Sequence, residues 1–84
     1  MQTRPELVIA HHPSFDLFDA DALDRIASVA EILDPRPIGD WSGPRVDDLL
    51  ARTRVILGHW GCPPLDLSVV DRAPNLGLFA YAAG

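Results

Sequence analysis

An α/β fold with a parallel sheet is predicted by three features of the sequence. Four short apolar runs are centred near positions 8, 32, 56 and 79, about 24 residues apart. Segments with helical patterning or helix-capping aspartates separate them, and clusters of proline and glycine punctuate the joins. Strand, helix and strand at that spacing is the βα unit, whose repetition gives parallel strands with right-handed crossovers.

Leu7-Val8-Ile9-Ala10 follows Pro5 and precedes His11-His12-Pro13, so it reads as the first strand. An acidic stretch, Ser14 to Asp21, leads into a helix with Asp19 or Asp21 as N-cap. Leu23, Ile26, Ala27 and Ala30 form its apolar face, with Asp24, Arg25, Ser28 and Glu31 opposite. Glu31-Ile32-Leu33 is a second strand that Asp34-Pro35 is expected to stop. Asp34 to Pro44, with three prolines and two glycines, is expected to be loop. Val46, Leu49 and Leu50 mark a short second helix with Asp47 and Asp48 in its first turn, where the helix dipole favours carboxylates. Val55-Ile56-Leu57 is the third strand and runs into Gly58-His59-Trp60-Gly61-Cys62-Pro63-Pro64. Asp66 caps a third helix over Leu67 to Ala73, and Leu76 to Tyr81 is the fourth strand. No linker or low-complexity tract divides the chain.

Parallel strands put their C-terminal ends on one side, which is where open α/β sheets bind ligands. His11-His12, Asp34, Gly58 to Cys62 and Ala82 to Gly84 are therefore expected to line one rim.

Composition narrows the chemistry. The net charge is −5 with no basic stripe, which argues against nucleic acid or an anionic membrane as partner. All seven cations are arginine, so a P-loop or Schiff-base lysine is excluded. A single cysteine gives no internal disulfide and suits a reducing compartment. With no signal-like N-terminus and no apolar run of about 18 residues, the expected location is cytoplasmic.

No metal site is expected from His11, His12, His59 and Cys62. Consecutive histidines leave a strand end in opposite directions, and no CxxC or HxxxH spacing is present. Cys62 precedes Pro63 and reads as a small buried hydrophobe rather than a nucleophile. The aspartates at 16, 19, 21 and 24 lack the glycine and closing glutamate of a calcium loop. Trp60 either plugs the core edge or walls a pocket. Backbone amides of Gly58 to Gly61 and of Ala82 to Gly84 could receive a carboxylate, because small residues allow close approach.

The run from Arg54 to Gly84 resembles the N-terminal part of D-isomer-specific 2-hydroxyacid dehydrogenases, the phosphoglycerate dehydrogenase-like enzymes. The shared pattern is a strand, a glycine loop, a helix ending Ala73-Pro74-Asn75-Leu76, and an apolar strand closing in a small-residue turn. Asp34-Pro35 and Val46 to Ala51 extend the likeness over nearly the whole chain. The resemblance implies a flavodoxin-like, Rossmann-like open parallel sheet of about four strands with flanking helices, incomplete in this chain. Residues 1–84 would be part of a substrate-binding domain that takes a small 2-hydroxy or 2-oxo acid, in a family that is usually homodimeric. Substrate-binding positions implied are Gly58, His59, Trp60, Gly61, Ala82, Ala83 and Gly84. NAD or NADP would serve the full-length protein through a separate GxGxxG domain that also supplies the catalytic residues. This chain has no such motif, so no catalytic residue and no cofactor binding are expected of it alone. Two other functions fit the same residues: a standalone small-carboxylate-binding module, and a non-catalytic dimerisation or scaffold piece using the fourth strand.

Overall fold

The computed structural model describes residues 4–82, and its elements alternate from the first strand to the last. They are β1 (Glu6–Ala10), α1 (Ala20–Ala27), β2 (Glu31–Ile38), α2 (Pro44–Arg52), β3 (Val55–Gly58), α3 (Leu67–Arg72) and β4 (Leu78–Tyr81). The strands form one sheet in the order β2-β1-β3-β4, with every pairing parallel. This is an α/β fold and is consistent with an incomplete Rossmann- or flavodoxin-like sheet.

Strand alternation divides the core in two. Leu7 and Ile9 of β1 pack with Ala30, Leu23, Ile26 and Phe18 on the α1 side. Val8 and Ala10 point the other way, toward Ile38, Trp41, Val46, Leu49, Leu50, Ile56 and Val69 on the α2–α3 side. β1 is thus covered on both faces, which is why Leu7 to Ala10 is continuously apolar.

The helices begin where side chains can satisfy their first amides. Asp19 caps α1 by accepting from the Ala22 amide at 2.8 Å, and Asp66 caps α3 by accepting from the Val69 amide at 3.1 Å. α2 has no side-chain cap; Pro44 at its start lacks an N–H that would need one. Val46, Leu49 and Leu50 are its buried face, as their spacing predicts.

The second strand departs from expectation. Asp34-Pro35 does not stop it, and β2 runs on through Pro35 and Pro37 to Ile38. The reason is its position at the sheet edge, where a missing amide costs no ladder bond on the outer side. The register records the irregularity. Leu7 faces Ile32, Val8 faces Asp34 and Ala10 faces Ile38, so β2 bulges twice along β1. Asp34 consequently lies in the body of β2 beside Val8 and not at the rim, and Ile38-Gly39 takes the rim position instead. Asp34 is structural there. Its carboxylate pairs with Arg36 at 2.8 Å and Arg45 at 3.0 Å, tying β2 to α2. The Arg36 hydrogen bond above all holds its carboxyl down to about 2, although partial burial opposes this.

β4 begins two residues later than the expected Leu76. Leu76 packs against the core, while the amides of Gly77 and Leu78 both donate to the Arg54 carbonyl as the chain turns into the strand. Among the described residues, no helix is long and apolar enough to cross a membrane.

Candidate functional site

The order β2-β1-β3-β4 reverses direction between β1 and β3, so the chain leaves these neighbours toward opposite sides of the sheet. In open α/β sheets such a switch point is where ligands bind, at the carboxyl ends of the two strands. Here the loops that flank it are His11-His12 after β1 and Gly58-His59-Trp60-Gly61 after β3.

Two hydrogen bonds continue the ladder past the strands and join these loops. The His59 amide donates to the Ala10 carbonyl, and the His12 amide donates to the Trp60 carbonyl, both at 3.0 Å. Gly61 then turns with φ of +76°, and a Cβ at this position would lie 2.4 Å from the His12 Cβ. Only glycine lets the two loops approach this closely. Gly58 is similarly enclosed: a Cβ there would meet the Phe79 ring at 3.0 Å and the Cys62 sulfur at 3.2 Å. Both glycines serve packing between chain segments.

Above this junction lies a connected set of rings. His11 meets Phe18 with centroids 5.9 Å apart, Phe18 meets His59 at 5.6 Å, and His59 meets Trp60 at 5.3 Å. Trp60 meets Phe15 at 6.3 Å, and Phe15 meets His12 at 5.6 Å. All five contacts are tilted or edge-to-face, the arrangement that ring quadrupoles favour. Trp60 remains 55% exposed, so it forms a wall at the rim and not a core plug. The core tryptophan is Trp41, whose indole N–H donates to the Pro64 carbonyl at 3.0 Å and pins the loop after β3.

Hydrogen bonding assigns the histidine tautomers. The Trp60 amide donates to His59 Nδ1 at 2.8 Å, which leaves the neutral ring's proton on Nε2. His12 Nδ1 accepts from the Ser14 amide at 3.1 Å and from its hydroxyl at 2.7 Å, so its proton is also on Nε2. His11 is the reverse: its Nδ1 lies 2.9 Å from the His12 carbonyl, which can only accept, so Nδ1 carries the hydrogen. His59 and His12 therefore each carry an Nε2–H that can donate.

The backbone supply is narrower than the sequence suggests. The amides of His59, Trp60 and Cys62 are all used internally, and the Ala82 amide donates to Gly58 at 2.8 Å. Gly61 is the loop amide that donates no hydrogen bond among the described residues. The expected positions Ala83 and Gly84 lie outside the described residues. Of the remaining expected positions, Gly58, His59, Trp60 and Gly61 meet at the switch point, while Ala82 follows β4 one strand away.

Cys62 is half-buried, and burial pushes its thiol upward; the S–H faces the Pro63 carbonyl at 3.4 Å. A protonated, enclosed thiol is a poor nucleophile. Among the described residues no group of three or more His, Cys, Asp or Glu side chains could hold a metal ion. The turn after β1 does not suit a dinucleotide either. His11, Pro13 and Phe15 occupy it in place of glycines, and the Asp19 carboxylate already fills the helix N-terminus where a pyrophosphate would sit.

Phe15, Phe18 and the distinct role of His11 were not singled out from the sequence. Their signal was present in Phe15-x-x-Phe18, an aromatic pair inside an acidic loop. Compared with models of known families, with curated proteins and with solved structures, the chain matches none.

Proposed function

We propose that the chain is the substrate-binding part of an NAD(P)-dependent D-2-hydroxyacid dehydrogenase, holding the carboxylate of a small 2-hydroxy or 2-oxo acid. The observation that supports this reading is that the loop after β3, at the β1–β3 switch point, holds together an exposed Trp60, a His59 whose Nδ1 is occupied by the Trp60 amide, and a Gly61 amide without a partner among the described residues. The likeness in motif order from Arg54 onward supports the same reading. In this role the chain fixes and orients the acid, while hydride transfer belongs to the full-length protein with its nicotinamide domain. The turn after β1 does not fit the dinucleotide, so none of the redox chemistry is assigned to these residues.

Titration of the 84-residue chain with pyruvate, hydroxypyruvate and glyoxylate, followed by Trp60 fluorescence, tests this. The acids should shift the emission saturably, pyruvamide should not, and His59→Ala should weaken the response. An equal response to pyruvamide, or none to any acid, would overturn the proposal.

The outer edge of β4, unpaired among the described residues and with Leu78 and Tyr81 more than half exposed, favours association as a second reading. Phe79 is part of the core packing, so Leu78→Glu is the cleaner test than a charge at Phe79. Concentration-dependent dimers that persist in Leu78→Glu would contradict it.

A further inference from the structure

His11 is 4% exposed, and with Thr53 it is one of two buried polar side chains among the described residues. A buried imidazole must find partners for both nitrogens or pay in desolvation. Its Nδ1–H is satisfied by the His12 carbonyl, but Nε2 has no partner among the described residues. Among the described residues no side-chain nitrogen or oxygen is sealed from solvent without a partner, so Nε2 must open onto free space. The space that His11 lines is a cavity of about 290 Å³ beneath the loop joining β1 to α1.

The polar side chains of that cavity are biased in one direction. With its hydrogen on Nδ1, neutral His11 offers only a lone pair at Nε2. Asp16 contributes a carboxylate, which only accepts. The Ser14 hydroxyl spends its hydrogen on His12 Nδ1 and offers oxygen alone. Ile9, Leu23 and Pro35 supply apolar walls, and the Phe18 ring supplies an aromatic face. Acceptors, one negative charge and a π-face together call for a donor that carries positive charge. The volume corresponds to about ten waters, enough for a single-ring molecule.

We infer that this cavity is a binding site for a small organic ammonium with an apolar body, its N–H groups received by His11 Nε2 and the Asp16 carboxylate. The site lies on the α1 side of the sheet and does not depend on the carboxylate reading of the switch point. It prefers the opposite charge.

The test is imidazole ¹⁵N NMR on the 84-residue chain titrated with benzylamine, benzyl alcohol and benzoate. Free protein should show His11 as the Nδ1–H tautomer, and benzylamine should move its Nε2 resonance saturably. Benzyl alcohol should bind more weakly, and benzoate should leave the resonance in place. Asp16→Asn, at an exposed position that folding does not need, should weaken benzylamine by about fivefold. His11→Asn, which keeps the donor to the His12 carbonyl and removes the second nitrogen, should abolish binding. An unmoved His11 resonance, a benzoate response equal to that of benzylamine, or unchanged affinity in Asp16→Asn overturns the inference.

Discussion

Replacing Gly61 by alanine should cost more stability than replacing any other glycine of the rim. Two separate penalties meet at this residue. Its φ of +76° is left-handed, which costs an L-residue about 1–2 kcal/mol. The added methyl would also lie 2.4 Å from the His12 Cβ and 3.0 Å from the His12 nitrogen. These neighbours are backbone-fixed, so relief requires parting the two loops, an overpacking cost of about 1–3 kcal/mol. The sum is about 2–5 kcal/mol, a large share of the stability of an 84-residue chain. Gly58→Ala isolates the steric part, since its nearest contact is the tip of the Phe79 ring at 3.0 Å and its φ is not positive. It should cost about 1–2 kcal/mol. Urea unfolding followed by far-UV circular dichroism measures both. Gly61→Ala should lower the midpoint more, with an unchanged slope. A Gly61→Ala midpoint within error of the wild type, or above that of Gly58→Ala, would refute the close-approach argument.

Asp34 makes stability depend on pH in the acid range. Its folded pKa lies below the unfolded one, so its contribution is complete above pH 3.8 and is lost as pH falls through about 2. Because Arg36 is largely exposed, the contribution is about 1–2 kcal/mol, and Asp34→Asn should flatten the acid limb of a stability–pH curve by that amount. Trp41→Phe removes the indole bond to the Pro64 carbonyl and should cost about 1 kcal/mol while leaving the loop after β3 more open to proteolysis. The Cys62 thiol should react slowly with a disulfide reagent at pH 8 in the native protein and rapidly in denaturant; equal rates would contradict its enclosure. Asp66→Ala should destabilise by about 1 kcal/mol through loss of the bond to the Val69 amide, read as a shift in Tm.

Much of the architecture could be read in the residues because local signals agree with their tertiary setting. Asp19 and Asp66 are strong caps, and both are used. Val46, Leu49 and Leu50 have helical spacing, and all three are buried. The run from Leu7 to Ala10 is apolar at successive positions because both faces of β1 are covered. Proline misled at β2, where Pro35 and Pro37 resemble terminators. Whether proline ends a strand depends on which edge of the sheet it faces, and strand order is not written locally. Asp34 was carried to the rim by the same misjudgement.

At the switch point, His59, Trp60 and Gly61 could be found because a strand end followed by a glycine loop is a local pattern. Which amides remain available could not be found. That depends on long-range bonds such as His12 to Trp60 and Ala82 to Gly58. The aromatic chain from His11 through Phe18 to His59 was equally hidden, because its members come from two loops separated by the whole of α1, β2, α2 and β3. The opposite tautomers of His11 and His59 follow from single backbone groups, and nothing in residue identity distinguishes them.

The central claim is that donors at the β1–β3 switch point receive a carboxylate, and imidazole ¹⁵N NMR of His59 during a pyruvate titration tests it most directly. The account predicts an Nε2–H ring in the free chain whose Nε2 resonance, together with the Gly61 amide, moves saturably with pyruvate and not with pyruvamide. A His59 ring protonated on Nδ1, or a pyruvate titration that moves neither signal, would contradict it.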